Sequence, residues 1–484
     1  MAVRKTEGAS SAGLVSPGRG VLTYTLASLL ILVPCFWQSR LQAGDLGSHI
    51  YNAWLAQLIR QGKAAGLVIV GLHTNVLFDW MLAGLFALGA GLAQRIAVAA
   101  AVLIFVWGAF AFAAVAGRRS WAILPALAML AYGWVYHMGF FNFYLSLGLC
   151  FWAVAAAWPL KPVGVAAAVP LLLLAYLAHA LPIAWAVSAL AYVWLARHLP
   201  YDKRGHLLVS AVACLALLHV LMSLNLATRW TYFQAKNISG ADQLWVFGGK
   251  YLWVSVALLL LWCLLLITLA RQLDVWKLLA SELFQVLALT AASVFLLPTW
   301  VLLPGYHHPL VYISDRMSLT VGICLCALLS QVEVRPYQRY LVAILALVFF
   351  GLLYGDERTL NRLEDQIQHA IRILKPGDRV IGAIDDPALR VNALAHLVDR
   401  ACIAHCASYD NYEPSSGAFR IRVTGPNLFV TASELDSARM EAGTYIVQPE
   451  DVPFYRITAD PGGVIHLESL EAGMQTGLTP WRGL

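Results

Sequence analysis

Charge is almost missing from the first three quarters of this chain. Residues 1–355 carry 21 Lys+Arg and 9 Asp+Glu, whereas the 129 residues from 356 to 484 carry 12 and 18. Over the whole chain 12% of residues are charged and 60% hydrophobic, against about a quarter charged in an average soluble domain. A chain divided in this way cannot hide its apolar surface in one soluble globule, is too apolar to be disordered, and offers no basic face to nucleic acid. It predicts a polytopic α-helical membrane protein. Residues 1–20 form a short leading segment, 21–355 a multi-span membrane domain, and 356–484 a soluble α/β or α+β domain.

Apolar runs near the length that crosses hydrocarbon occur at about 21–38, 76–93, 96–117, 121–138, 141–158, 163–197, 206–225, 251–270, 278–300, 316–331 and 338–354. The 163–197 run is interrupted by Pro182, so it reads as one broken span or two short ones, giving eleven spans with twelve as the alternative. The positive-inside rule chooses between them. Arg4, Lys5 and Arg19 place the start of the chain in the cytoplasm. With eleven spans the basic loops at 197–204, 271–277 and 335–339 also fall inside. The loops at 39–75, 226–250 and 301–315, and the acidic C-terminal domain, then fall outside. Arg118 and Arg119 fall on the outer side against the rule. Residues 1–20 show no cleavage site, so the first span reads as an anchor. No internal repeat is visible, which weighs against a transporter built from repeated halves.

The first outer loop, 39–75, is the most informative segment. Residues 45–63 read as an amphipathic helix at the membrane surface, closed by Gly62. Ile50, Trp54 and Leu58 share one face, and Asp45, His49, Asn52, Arg60 and Lys63 the other. Asp45 and His49 stand four apart, so their side chains meet one turn along the same face. Such a pair can act as a general base with its partner or as two ligands of a divalent metal ion. The plainer reading makes Asp45 a helix cap and His49 an interfacial residue. Elimination favours chemistry: on this topology only Asp45, Asp79, Asp242 and Asp315 supply carboxylates on the outer side of the membrane domain. Asp79 lies just inside the second apolar run, where an ionisable group is a functional candidate by default.

An inner N-terminus, one span, and a long outer loop with an acid just past the first helix resemble the GT-C class of integral-membrane glycosyltransferases. Many short spans and an outer C-terminal domain fit the same class. The D-x-x-x-H of Asp45 and His49, with its amphipathic helix ending in Gly62, is similar to the first loop of bacterial members. The resemblance covers residues 20–355 in architecture and about 20 residues in motif. Asp45 is followed by Leu46, so the paired acids of several branches are absent. The resemblance implies a polyprenyl-phosphate sugar donor held in the bacterial inner (plasma) membrane. It also implies inversion at the anomeric carbon, and a first-loop acid that serves as base or metal ligand.

A lipid-phosphate donor needs cations where the phosphate sits. The 226–250 loop offers Arg229, Lys236 and Lys250 among Trp230, Tyr232, Phe233 and Trp245; an ordinary interfacial belt has the same make-up. The 301–316 stretch offers His307, His308, Asp315 and Arg316, and Arg316 is the first choice for the phosphate. His137 and His179, near span ends, read as hydrogen-bonded core histidines. FGGK at 247–250 lacks the spacing of a phosphate loop, and no H-E-x-x-H occurs.

In the C-terminal part, 358–374 reads as an amphipathic helix, RVIGAI as a strand and NALAHLVDRACIAH as a helix. AFRIRV, NLFVTA, GTYIVQ and VIHLES read as strands. Tyr409, Asp410, Tyr412 and Glu413 make 408–422 its one conspicuous stretch, suited to a surface loop, to acceptor recognition or to contact with the outer loops. Cys402 and Cys406 lack a second pair for zinc and suit a local disulfide in an oxidising compartment. The other six cysteines lie in apolar runs as small hydrophobes.

The sequence thus leads to a glycosyltransferase in which Asp45 deprotonates the acceptor or holds a metal, and His49 orients it. Arg316 with His307 or His308 binds the leaving phosphate. Arg229, Lys236, Asp315 and Asp79 are further candidates for the donor site. The alternative is a non-catalytic membrane subunit whose residues 356–484 bind protein partners.

Overall fold

The structure is a computed structural model that describes residues 17–306, 308–460 and 462–484, with side chains from residue 20 onward. Arg4, Lys5 and His307 lie outside the described residues, as does the Arg19 side chain.

The chain runs back and forth between two ends of a helical bundle, one of which is capped by the residues after 370. Helix α1 (Pro17–Leu32) rises to the capped end, where Trp37 Nε1 donates to Glu357 at 2.6 Å. Helix α2 (Leu46–Arg60), strand β1 (Leu67–Ile69) and helix α3 (Leu77–Leu85) stay there, and α4 (Ala90–Ala113) leaves for the far end. Helices α5 (Leu124–Ala131) and α6 (Trp134–Met138) return as a broken pair. Three more passes follow in α7 (Phe141–Ala157), α8 (Pro162–Ala178) and α9 (Ala180–His198). Helix α10 (Arg204–Asn225) leads to β2 (Ala227–Arg229), and α11 (Lys250–Gln272) descends to the short α12 (Val275–Leu279). Helix α13 (Glu282–Leu296) climbs to β3 (Trp300–Leu302), the antiparallel partner of β2. Helix α14 (Ile313–Leu329) goes down, and α15 (Pro336–Ala370) comes up and out of the bundle.

Among the described residues, five helices are long and apolar enough to cross a membrane: Ala90–Arg118, Ala180–His198, Tyr201–Asn225, Lys250–Gln272 and Pro336–Ile373. Shorter apolar helices lie among them. This is the make-up of a helical membrane protein with a small sheet region. The sheet takes the order β6-β4-β8-β9 from β4 (Arg379–Gly382), β6 (Ala407–Ser408), β8 (Phe454–Ala459) and β9 (Ile465–Leu470). Strand β4 is parallel to β6 and β8, while β8 and β9 are antiparallel. Strand β5 (Ile384–Asp385) pairs separately with the terminal β10 (Thr479–Pro480). Helices α16 (Leu397–Cys402), α17 (Tyr412–Ser416) and α18 (Glu434–Glu441) lie between strands, and so does β7 (Ile421–Val423). Cys402 and Cys406 are joined as a disulfide.

The cap and the bundle share one core. A single cluster of buried apolar side chains runs from Ile31 through the helices to Val380, Ile457 and Trp481. Two arginines, Arg400 buried and Arg390 half-buried, lock the junction. Arg400 reaches Glu364 (2.7 Å from Nε) and the carbonyl of Leu41 (2.6 Å). Arg390 bonds Asp242 and the carbonyl of Trp245 (3.0 Å) between the rings of Trp134 and Trp245. An arginine held by several acceptors at once fixes orientation as well as contact.

Several sequence expectations change. The 76–93 run is not one crossing helix. Gly89, at φ 87°, breaks it between α3 and α4, a conformation through which a helix cannot continue. Both halves of the break stay near the cap, since Arg95 donates to the carbonyls of Gln38 and Ser39 at 3.0 and 2.6 Å. The 163–197 run is two helices that part at His179, not at Pro182. The Pro182 ring would meet the carbonyl four residues back, so the helix must restart before it. Arg118 and Arg119 are therefore not on the opposite side from 335–339. Arg118 lies 3.6 Å from Glu333, and Arg118, Arg119, Arg335 and Arg339 line one recess at the far end. The division at 355/356 falls inside α15, whose 35 residues extend about 52 Å at 1.5 Å per residue. AFRIRV supplies β7, but its partner is β1 in the first loop. NLFVTA and GTYIVQ form no strand.

Candidate functional site

Asp45 is placed by backbone on both sides. Gly44 N donates to the carbonyl of His137 at 2.7 Å and Asp45 N to that of Met138 at 3.0 Å. A side chain on Gly44 would press on the carbonyls of Asn392 and Met138, and one on Gly47 would collide with the carbonyl of His396. The G-D-L-G segment is thus glycine-flanked because the bundle and the C-terminal cap both close on it. Asp45 occupies the N-cap position of α2, yet its carboxylate accepts no bond from the helix. It faces a cavity of about 700 Å³ instead. Helix α2 ends as foreseen, Gly62 N bonding Ile59 O and Lys63 N bonding Leu58 O. The first half of its polar face lies under the cap, where the buried Ser48 and Asn52 bond Asn411 and Glu413, while Arg60 and Lys63 at its end stay exposed.

His49 does not bond Asp45. Its Nδ1 lies 2.9 Å from Asp79 Oδ1, and Asp79 Oδ2 accepts from Asn142 at 2.9 Å. Asn142 in turn accepts from Phe78 N at 2.9 Å, which fixes the start of α3. Burial pulls the His49 imidazole down, but the charge and hydrogen bond of Asp79, with Glu413 and Asp45 beyond, outweigh it and lift it to about 9. Burial pushes the Asp45 carboxyl above its ordinary value against the pull of His396, His49, Arg316 and His308.

The cavity lies between the bundle and the cap, lined by Asp45, His49, Asn142, His179, His308 and Arg316 from the membrane part. The cap contributes His396, Asp410, Tyr412, Glu413 and Glu441. Burial raises Glu413 to about 7, opposed by His49, and raises Asp410 to about 8 with the help of Asp399. Arg316 sits one turn into α14 with its guanidinium 3.7 Å from the centre of the Phe140 ring. It makes no ion pair among the described residues, and its buried Nε has no hydrogen-bond partner. A cation with unused donors at a cavity wall is a ready anion site. His308 lies beside it, stacked on Tyr412 and 3.9 Å from Glu434.

The sequence candidates therefore divide. Asp45, His49, Arg316 and His308 line one cavity, and Asp79 stands directly behind His49. Asp315, Lys236 and Arg229 do not line it. Asp315 turns to Arg390 (3.5 Å) and Lys236 (3.9 Å), and Arg229 stacks on Trp300. His137 is a core residue, tied to Glu357 at 3.2 Å. His179, also expected in the core, lines the cavity and caps α9. Sequence reasoning missed His396, Glu441 and Asn142. The signal for His396 was the His-x-x-Asp spacing to Asp399, hidden in a segment that read as an ordinary helix.

Asp45 and His49 do not touch each other: the Nδ1 of His49 is taken by Asp79, and its other ring nitrogen is left to the cavity. Among the described residues, no three His, Cys, Asp or Glu side chains gather as a ligand set.

A second cavity of about 590 Å³ is almost wholly apolar and opens between α9, α10, α13 and the start of α14. Ile313, Ser314 and Met317 line it, while Tyr312 and Arg316 on the same turns line the polar cavity.

Comparison with protein-family models, curated proteins and solved structures finds no match.

Proposed function

We propose that the protein is a membrane glycosyltransferase of the GT-C kind, moving a sugar from a polyprenyl-phosphate carrier to an acceptor hydroxyl. The observation that carries this reading is convergence. An acid and a histidine of the first loop, an arginine of α14 with no ion pair among the described residues and the acidic face of the cap line one cavity. An apolar groove begins on the turns of α14 that hold the arginine. An amphipathic donor fits that pair, its phosphate at Arg316 and its hydrocarbon along α9, α10 and α13.

In this reading Asp45 takes the proton of the acceptor hydroxyl as its oxygen attacks the anomeric carbon. The bond from that carbon to the phosphate oxygen breaks with inversion. The departing phosphate keeps the electron pair and needs charge stabilisation more than a proton. Arg316 supplies it with the imidazolium of His49 at the cavity wall, and His308, kept neutral by burial, adds a hydrogen-bond donor.

The proposed setting is a bacterial inner membrane with the cap outside. With α3 staying at the capped end and α8 and α9 counted separately, eleven crossings result from α1, α4, α5–α6, α7 to α11, α13, α14 and α15. Arg118 and Arg119 then join Arg197, Arg204, Arg271, Lys277, Arg335 and Arg339 on the cytoplasmic side, as the positive-inside rule requires.

The test uses purified full-length protein in nanodiscs with a panel of polyprenyl-phosphate sugars, comparing wild type with Asp45→Asn. Sugar release that disappears in a folded variant supports the reading. Equal release removes Asp45 from the mechanism. No release from any donor, together with a protein partner that co-purifies, turns the assignment to an assembly subunit.

A further inference from the structure

The cap does more than cover the cavity. His396 lies at the start of α16 with its Nδ1 3.0 Å from Asp399 Oδ2. Asp399 is itself held by the Ser408 hydroxyl at 2.5 Å, and Ser408 N donates to Tyr51 OH of α2 at 3.1 Å. The other ring nitrogen, Nε2, faces the cavity 4.0 Å from Asp45 Oδ1. Gly47 admits the His396 backbone against α2, so the two side chains meet because a glycine stands between their elements.

We propose that His396, braced by Asp399, is a positioning residue of this centre: it holds the Asp45 carboxylate, and the base of the first loop works only with the cap seated on it. This deepens the glycosyltransferase reading and rests on it for the role of Asp45 as a base.

The surroundings favour a charged imidazole. Burial opposes protonation of His396, but Asp399, Asp45 and Glu441 outweigh it and lift the ring to about 10. Asp410 and Glu413 at the cavity wall also feel it, and the Tyr412 ring lies against it with centroids 5.7 Å apart. Asp45 depends on nearby groups to stay ionised, His49, Arg316 and His308 besides His396. Among the described residues no hydrogen bond reaches its carboxylate, and His396 is the largest of the influences that oppose its burial. Without this partner the burial of Asp45 is opposed less, and the carboxyl keeps its proton to higher pH.

The experiment reads Asp45 without needing a substrate. Dicyclohexylcarbodiimide modifies protonated carboxyls in apolar surroundings, and peptide mass spectrometry reports the fraction of Asp45 labelled as pH is stepped from 4 to 10. Wild type, His396→Gln and Asp399→Asn are compared in nanodiscs, with thermal unfolding as the check on fold. In His396→Gln the midpoint of labelling moves up by about one pH unit or more, while labelling at pH 4 is unchanged. Asp399→Asn keeps the ring and its backbone contact, moves the midpoint in the same direction, and decides the matter if His396→Gln does not fold. Superimposed profiles overturn the proposal. If the midpoint shifts and wild type releases sugar from no donor, the glycosyltransferase reading falls and the coupling of His396 to Asp45 stands. If wild type turns over and the profiles coincide, the reverse holds.

Discussion

His49 Nδ1 stands 2.9 Å from Asp79 Oδ1, so the histidine that shares a helix face with Asp45 takes its partner from another helix. One acid near the cavity is thereby spent on making His49 a cation, and the other is left facing the cavity. Asp79, Asn142 and the amide of Phe78 form a chain of three hydrogen bonds behind His49. The ring is held from the back, and its free nitrogen is left to the cavity.

This pairing gives stability with a defined pH window. The folded value of His49, about 9, lies above its ordinary 6.5. The contribution is therefore complete below pH 6.5 and is lost as pH rises through 9. The melting temperatures of wild type and His49→Gln should differ most at pH 6 and converge by pH 9.5. Asp79→Asn strands a buried imidazole and costs about 3 kcal/mol at pH 6. A gap between wild type and His49→Gln that widens with pH contradicts the pairing.

Transfer itself should follow a bell-shaped pH profile. The rate climbs as Asp45 loses its proton and falls again near 9 as His49 loses its own. Asp79→Asn moves the alkaline limb down by more than one pH unit and leaves the acid limb in place. The measurement is single-turnover sugar release across pH. An alkaline limb that stays near 9 in Asp79→Asn takes His49 out of the mechanism.

Arg316 and Arg229 separate two kinds of cation that looked alike in the sequence. Arg316 has donors to spare at the cavity wall, whereas Arg229 is engaged with Trp300 on the β2–β3 ribbon. A charged hydrogen bond of about 1.5–3 kcal/mol to phosphate corresponds to roughly ten- to a hundred-fold in affinity. Arg316→Gln should raise the donor KM by that factor, with Arg316→Lys intermediate, and Arg229→Gln should leave KM within about twofold. An equal effect at both positions sinks the assignment of the phosphate to Arg316.

The same contrast shows what the sequence could and could not convey. Asp45 and His49 were legible because four-residue spacing on a helix is a local rule. The 301–316 stretch with Arg316 and His308 was legible because polar groups are rare among apolar runs. His396 was not, since only the docking of the cap brings residue 396 to residue 45, and no local pattern encodes that docking. Asp315, next to Arg316 on the chain, pointed the same way in sequence, yet the turn of α14 sends it to Arg390. Apolar composition marked residues 76–93 without revealing that Gly89 would fold them back. It marked 163–197 without showing that the break precedes Pro182. In both cases the composition was read correctly and the backbone geometry was not contained in it.

Gly47 tests whether cap and first loop work as one unit. Its neighbour across the interface is the backbone carbonyl of His396, which cannot move aside like the end of a flexible side chain. Gly62 also lies in this loop, but a β-carbon there would meet nothing within 4 Å, and only its φ of 70° resists substitution. Gly62→Ala should therefore cost about 1 kcal/mol through backbone strain and leave transfer nearly intact. Gly47→Ala should displace His396 from Asp45, abolish sugar release, and expose the connection after α15 near residues 374–378 to limited proteolysis. The bundle itself should still purify as a folded membrane protein, because its apolar contacts do not pass through residue 47. A Gly47→Ala protein that keeps both wild-type turnover and wild-type protease resistance shows that the cap is a passenger on the bundle.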